Sequence, residues 1–203
     1  ETLLEIMISM SILIFIVGPI SQLIISSTRS TSGNRNELIT ELIAKDGVEL
    51  IKSFVYGNEL KFAGVGGECF AAKPGQQDID TCAAAENTLS SGSHVLSVDA
   101  DPASPSFGKW LLTPQAVGLS EDLKPQHAVT DAPYALRLDP LTHQYNSTRG
   151  EATNYYREVA IDVRDIDLNG RPDAVAVTSR VRFWLGGKVK TITMGDVLTA
   201  AAQ

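Results

Sequence analysis

The stretch Ile6–Ile25, with the sequence IMISMSILIFIVGPISQLII, is almost wholly apolar and decides the fold of this 203-residue chain. No charged residue occurs between Glu5 and Arg29. As an α-helix rising about 1.5 Å per residue, the stretch spans about 30 Å, the thickness of the hydrocarbon core of a bilayer. A cleaved signal peptide would begin with basic residues and end in a small-residue cleavage site, which this sequence lacks. The stretch therefore predicts a membrane-spanning helix.

The composition of the whole chain is that of a globular protein, with 43% hydrophobic and 20% charged residues. Asp and Glu number 24 against 17 Lys and Arg, which gives a net charge of −7. Phosphate binding needs a clustered positive field, so the chain gives no strong nucleic-acid signal. No phosphate-binding loop, metalloprotease motif or serine-hydrolase motif occurs, so we expect no enzyme. His94, His127 and His143 lack metal-ligand spacing and are expected to be surface or hairpin residues.

A second helical pattern follows the apolar stretch, within residues 34–54. Apolar residues recur there at three- and four-residue spacing and form one stripe: Ile39, Ile43, Leu50, Ile51 and Phe54. Gly47 interrupts the pattern and costs about 1 kcal/mol relative to Ala in a helix interior. The two patterns together predict one long helix from about Thr2 to Phe54, apolar in its first half and amphipathic in its second.

Alternating patterns near the C-terminus predict an antiparallel sheet of about four strands. Residues 134–145 are typical of a hairpin, and a Gly-Gly turn at 186–187 leads into Val189–Thr193. Between them, apolar faces lie along two strands: Tyr155, Arg157, Val159, Ile161 and Val163 on the first, and Val175, Val177, Val181 and Phe183 on the second. One face of such a sheet can cover the amphipathic helix, so the predicted fold class is α+β.

The chain is expected to be organised in three parts. Residues 1–28 form the hydrophobic helix, residues 29–56 form its amphipathic continuation, and residues 57–203 form a globular head. Within the head, residues 57–130 are rich in turn formers and are interpreted as variable loops, with short strands at His94–Val98 and Lys109–Leu112. Residues 131–203 hold the sheet.

The N-terminal residues Glu1–Ile8, ETLLEIMI, resemble the start of a mature type IV pilin or pseudopilin. Four residues match that family's pattern in place: Thr2, Leu3, Leu4 and Glu5. Glu1 stands where the family usually has Phe, and Pro19 lies a few residues earlier than its helix-breaking proline. The resemblance implies a type IV pilin fold, a long N-terminal helix packed on an antiparallel head. Residues 34–52 also look like the corresponding helix of some pilins of small-genome bacteria.

The resemblance implies a structural subunit that polymerises through its N-terminal helix into an extracellular filament for adhesion, twitching motility or DNA uptake. Before assembly it would be a single-pass protein of the inner membrane, processed by a prepilin peptidase, which methylates the new N-terminus in many relatives. A platform protein and an ATPase would then assemble it into a helical homo-oligomer. The implied assembly residues are Glu1, Thr2, Glu5 and Pro19, with Glu5 meeting the α-amine of a neighbouring copy and Pro19 loosening the helix.

Two alternatives stay open at this stage. A type II secretion pseudopilin or a minor pilin would share the same N-terminal pattern. A membrane-anchored, Ca²⁺-binding surface domain that does not polymerise would also need the apolar helix. In that case Glu1 and Glu5 would simply form a solvated helix start, which the helix dipole favours.

Cys69 and Cys82 are the two cysteines of the chain and lie close together in the sequence. If the head lies outside the cytoplasm, as the resemblance implies, a disulfide between them is the expected state. It would close a loop of about 14 residues and stabilise the fold by at most about 3 kcal/mol in the chain-entropy model.

The turn between the two main predicted strands has the pattern D-x-D-x-N-G-x-x-D and resembles an EF-hand-type Ca²⁺ loop. The candidate ligands are the side chains of Asp165, Asp167, Asn169 and Asp173 and the carbonyl of Arg171. The twelfth position is Ala176 rather than Glu, and strands rather than helices flank the loop. A structural Ca²⁺ and a plain Asn-Gly turn with solvated acids are therefore both interpretations of this segment.

Overall fold

The computed structural model describes residues 2–62, 69–104, 107–119, 133–166, 168, 170–185 and 187–200. The chain divides into two compact units, Glu1–Ile39 and Thr40–Gln203. One long helix, α1, runs Thr2–Lys61, and an antiparallel sheet lies in the C-terminal unit. The α+β fold class is therefore confirmed.

The N-terminal unit consists of helix α1 with its apolar side chains uncovered. From Leu3 to Ile25, the large apolar side chains that the structure describes are between 49% and 81% exposed, and they point to all sides of the helix. The helix is continuous at Pro19, and the loosening expected at this residue in a filament stays a prediction. It also continues through the polar residues 26–33, as the predicted single helix requires.

Several hydroxyl groups in and after this apolar stretch donate to carbonyls of their own helix. Ser11 donates a hydrogen bond to the Met7 carbonyl and Ser21 to the Val17 carbonyl, each at 2.8 Å. Thr28 does the same with the Ile24 carbonyl at 2.8 Å. Because the donors are satisfied without water, these side chains fit an environment that contains none.

In the C-terminal unit, residues 40–61 of α1 bury one stripe: Thr40, Ile43, Ala44, Gly47, Val48, Ile51, Val55 and Asn58. Val48, Ile51 and Val55 pack into the main core with sheet residues that include Val159 and Val177. The predicted positions Ile43 and Ile51 are confirmed as stripe residues, whereas Leu50 and Phe54 are only partly buried beside it. The helix ends at Lys61, seven residues beyond the predicted end.

Within the described residues, the sheet has seven antiparallel strands, where the sequence pattern indicated about four. Their bounds are β1 Gly92–Val98, β2 Trp110–Gln115, β3 Ala135–Leu138, β4 Tyr145–Asn146, β5 Glu151–Arg164, β6 Ala174–Leu185 and β7 Lys188–Thr199. A short 3₁₀ helix, Ala85–Asn87, precedes β1. The strand order is β2-β1-β5-β3-β4, and β6 pairs with the other side of β5 and with β7.

Strand β5 is the centre of the sheet, since it pairs with β1, β3 and β6. Its register with β6 sets Tyr155 opposite Phe183 and Val163 opposite Val175, so the two predicted apolar faces coincide. Strands β1 and β2 come from residues 57–130, the segment interpreted mainly as loops, and they belong to the same sheet.

Candidate functional site

The candidate assembly residues lie on the N-terminal part of α1. Thr2, Glu5 and Pro19 are all helical and exposed, while Glu1 lies outside the described residues. We call the side chains from Leu3 to Ile25 the apolar helix surface. Among the described residues, α1 is the helix long and apolar enough to span a membrane, judged by length and composition alone, and its most apolar part is 0% buried.

Glu5 is the acidic group of this surface. It lies in the first turn of α1, where the helix dipole favours a negative charge. Helical geometry places Ile8, Ser9 and Ile12 beside it, three, four and seven residues on. The first basic residue that follows is Arg29, about 36 Å further along the helix at 1.5 Å per residue. A cation that neutralises Glu5 must therefore come from outside residues 6–28.

The predicted disulfide is confirmed, because Cys69 and Cys82 are bonded with a Cα–Cα distance of 5.3 Å. The loop between them is held against the end of α1. The buried amide of Asn58 donates hydrogen bonds to the carbonyls of Phe70, at 3.3 Å, and Ala72, at 2.8 Å. The disulfide therefore ties a segment that the helix also binds directly.

The predicted Ca²⁺ loop connects β5 to β6, and the structure describes part of it. Asp165 Oδ2 accepts a hydrogen bond from the Gly170 amide at 2.7 Å, and Asp173 Oδ2 accepts one from the Ile166 amide at 2.9 Å. Arg171 is described, whereas Asp167 and Asn169 lie outside the described residues. In the described part of the chain, no three His, Cys, Asp or Glu side chains are grouped as metal ligands. The two visible carboxylates shape the turn, and Ca²⁺ binding stays a prediction.

Calcium binding has a direct test in thermal unfolding. If the loop holds Ca²⁺, adding the ion to chelator-stripped protein raises the melting temperature, because a ligand present at 100 times its Kd stabilises the native state by about 2.7 kcal/mol. Asp167→Ala should abolish the increase. Asp162→Ala, outside the D-x-D-x-N pattern, should keep it. An unchanged melting temperature in the stripped wild type would show that the segment is an ordinary turn.

An ion pair between a buried arginine and a half-exposed aspartate joins the helix to the sheet inside the C-terminal unit. Arg157 on β5 is fully buried, and its Nη1 donates to Asp46 Oδ2 at 3.3 Å and to the Ile43 carbonyl at 3.5 Å. The guanidinium lies 6.0 Å from the ring centroid of Trp110. Burial lowers the pKa of Arg157, and the carboxylate of Asp46 opposes that effect. The sequence put Arg157 on an apolar strand face but indicated no partner for it.

Gly47 lies next to this ion pair and lets the helix approach β6 closely. A Cβ atom at Gly47 would lie 2.5 Å from Ser179 Oγ and 3.3 Å from Arg157 Cδ. Among described residues, the buried Ser179 hydroxyl has no hydrogen-bond partner. The close contact between Gly47 and Ser179 is therefore one of steric packing and not of hydrogen bonding. Gly47, which disfavours a helix in the sequence pattern, is thus required for the packing of the helix on the sheet.

The three histidines differ in how their positions compare with the expectation of surface or hairpin residues. His94, expected at the surface, is buried on β1 at 2% exposure, so that expectation is wrong. The reason is the strand register, which sets His94 between Val159 of β5 and Pro114 of β2. His143 is exposed in the β3–β4 turn, in the left-handed region with φ 57°. His127 lies outside the described residues.

Comparison of the chain with models of known families, with curated proteins and with solved structures gives no match.

Proposed function

We propose that this chain is the structural subunit of a type IV pilus, polymerising through helix α1 into an extracellular filament. The observation that carries the proposal is the apolar helix surface, which is exposed on all sides and bears a single carboxylate near one end. A helix that is apolar all round is stable only in lipid or among other apolar helices.

The energy of covering this surface is large enough to keep the helix out of water. Burying one Val, Leu, Ile, Phe or Met side chain contributes about 1.5–3 kcal/mol, and fifteen such side chains are exposed among the described side chains between Leu3 and Ile25. In lipid these side chains are already removed from water, so assembly moves them from contact with lipid into contact with other helices. Packing and polar contacts between helices then decide whether and how the copies associate.

Glu5 supports assembly over a simple anchor. A carboxylate at the apolar end of a span is costly unless it is paired, and a plain anchor gains nothing from it. In a filament with an axial offset between copies, a cationic or hydrogen-bonding group of one copy can meet Glu5 of the next. Such a pair favours one register over the others.

The C-terminal unit is the proposed head of the subunit, and the type IV pilin fold is the proposed fold. Residues 40–61 of α1 packed on an antiparallel sheet support this assignment, as does the disulfide, which suits an oxidising compartment outside the cytoplasm. The proposed partners are other copies of the chain, a prepilin peptidase, and an assembly platform with its ATPase. The subunit would reside in the inner membrane before export to the cell surface.

A pseudopilin of a secretion system or a minor pilin is a close variant of this proposal. A second class is a membrane-anchored surface domain that does not polymerise, with the Asp165–Asp173 turn as its Ca²⁺ site. The observation in its favour is that α1 has the length and composition needed to span a membrane once, without a second copy of the chain. The two classes differ in what they require of Glu5.

Replacing Glu5 separates the two classes. In a filament subunit, Glu5→Ala should lower filament yield by about tenfold or more, since losing a charge-assisted contact of about 1.5–3 kcal/mol weakens the addition of every subunit. The amount of chain in the membrane should not fall. Filaments would be counted by electron microscopy and chain by immunoblotting of the membrane fraction.

The matched control is Glu41→Ala, an exposed glutamate of the same helix outside the apolar helix surface, which should leave filament yield unchanged. If Glu5→Ala leaves both filament yield and membrane content at the wild-type level, Glu5 does not act in assembly and the anchored-domain class is favoured.

A further inference from the structure

A cavity of about 320 Å³ lies beside the main core of the C-terminal unit, at the edge of the sheet formed by β1 and β2. Its walls are largely apolar and include Leu89, Leu112 and Pro114. Four polar side chains also line it, those of Lys73, Ser90, His94 and Thr113. An apolar cavity of this size with a few converging polar groups is typical of a small-molecule site.

Ser90 and His94 form a hydrogen-bonded pair in this cavity. Ser90 Oγ lies 3.2 Å from His94 Nε2, and His94 Nδ1 lies 3.0 Å from the carbonyl oxygen of Gly92. A carbonyl oxygen can only accept, so Nδ1 carries the proton. In the neutral ring Nε2 is then an acceptor, and the hydroxyl of Ser90 donates to it.

Burial keeps His94 in the state that this geometry needs. The side chain is 2% exposed, and burial lowers the pKa of its imidazole, although the hydrogen bond to Gly92 opposes the shift. At neutral pH the ring is therefore uncharged and able to take a proton. Ser90, by contrast, is exposed and accessible from the cavity.

We propose that Ser90 is a nucleophile that accepts an acyl group from small apolar esters bound in this cavity. The arrangement has the three parts of an activated serine: a hydroxyl, a base within hydrogen-bond reach, and a third group that orients the base. Here the Gly92 carbonyl orients His94. The inference is independent of the proposed filament function, and it departs from the expectation that the chain is not an enzyme.

In the acylation step, Ser90 Oγ attacks the carbonyl carbon of the ester while its proton moves to His94 Nε2. The bond from that carbon to the alcohol oxygen breaks, and the departing alkoxide takes the proton from Nε2 and leaves as the alcohol. Water then attacks the acyl carbon, giving a proton to Nε2. The carboxylic acid leaves, and Ser90 Oγ regains its proton.

Lys73 is the cation that lines the cavity, and an ammonium can stabilise the negative charge that develops on the ester oxygen. Its ammonium already donates to the Glu86 carbonyl, and two further N–H groups remain for an oxyanion. The apolar walls suit a short hydrocarbon acyl chain. These features select uncharged esters of short fatty acids as the substrate class.

The test uses the full chain in dodecyl maltoside with p-nitrophenyl butyrate and a fluorophosphonate probe. The wild type should release p-nitrophenolate at least 100-fold faster than Ser90→Ala, within the range expected for a positioned base and nucleophile. Mass spectrometry should find the fluorophosphonate on Ser90. His94→Gln should lose both reactions, with its melting temperature checked because His94 is buried.

Ser91→Ala is the matched control. The hydroxyl of this exposed neighbour accepts a hydrogen bond from the Val163 amide at 2.9 Å and lines no part of the cavity, so its removal should leave hydrolysis unchanged. A wild-type rate in Ser90→Ala, or the absence of probe from Ser90 in the wild type, would overturn the proposal. Either result would show that the Ser90 hydroxyl only satisfies a buried imidazole.

Discussion

Replacing Asp46 by Ala should lower the free energy of unfolding by about 1–3 kcal/mol, because the buried guanidinium of Arg157 loses its carboxylate, which is itself half exposed to solvent. Arg157 is 2% exposed, and Asp46 is the carboxylate within ion-pair distance among the described residues. The Ile43 carbonyl, at 3.5 Å, would remain as an acceptor but carries no charge. Urea titration of the full chain in detergent, followed by the fluorescence of Trp110 and Trp184, measures this change.

An exposed ion pair provides the matched control. Asp162 pairs with Arg164 at 2.7 Å on β5, and here the arginine is exposed as well as the carboxylate, whereas Arg157 is buried. Asp162→Ala should therefore change stability by less than about 1 kcal/mol, as is usual for surface pairs. If Asp46→Ala destabilises the protein no more than Asp162→Ala does, the pair of Asp46 with Arg157 does not hold the helix to the sheet.

The double variant Asp46→Ala with Arg157→Met isolates the origin of the effect. Methionine fills much of the same volume without a charge, so the loss caused by Asp46→Ala should be largely recovered. Recovery would show that the stranded charge, and not the loss of helix contacts at Asp46, accounts for the destabilisation.

Two glycines of helix α1 should respond to alanine with opposite signs. At Gly47, helix propensity favours Ala by about 1 kcal/mol, but the new Cβ would lie 2.5 Å from Ser179 Oγ. Overpacking of a core costs about 1–3 kcal/mol, and adjacent Arg157 Cδ at 3.3 Å leaves little room to move. Gly47→Ala should therefore destabilise the C-terminal unit by up to about 2 kcal/mol.

Gly57 is the matched control, since it lies in the same helix and a Cβ there meets no atom within 4 Å. Gly57→Ala should raise stability by up to about 1 kcal/mol. Adding Ser179→Ala to Gly47→Ala removes the hydroxyl in the way and should recover part of the loss. Stabilisation by Gly47→Ala alone, measured in the same urea titrations, would contradict the close approach of helix and strand.

The features predicted well are those that depend on short-range patterns. The uncharged run from Ile6 to Thr28 is compatible with few structures other than an apolar helix. Strict alternation of apolar and polar residues in β5 and β6 determines which residues share a face of the sheet. The helix also continues through the polar run after Ile25, as the prediction of one long helix from about Thr2 to Phe54 required.

The features missed are those that depend on contacts distant in sequence. Asp46 and Arg157 are 111 residues apart, so their pairing depends on the exact register of helix on sheet. The same register of helix on sheet leaves no room for a Cβ atom at position 47, so Gly47 is needed there. His94 lies in a short strand within turn-rich sequence, and only its pairing with β2 and β5 buries it. An arginine in an otherwise apolar alternation was the available signal for a buried partner.

The central claim is that this chain polymerises through its apolar N-terminal helix. The most direct measurement is electron microscopy of filaments sheared from the producing cells, with mass spectrometry of the purified fibre. The account predicts filaments in which this chain is the dominant component. Filaments that lack the chain, with the protein confined to the membrane fraction, would contradict it.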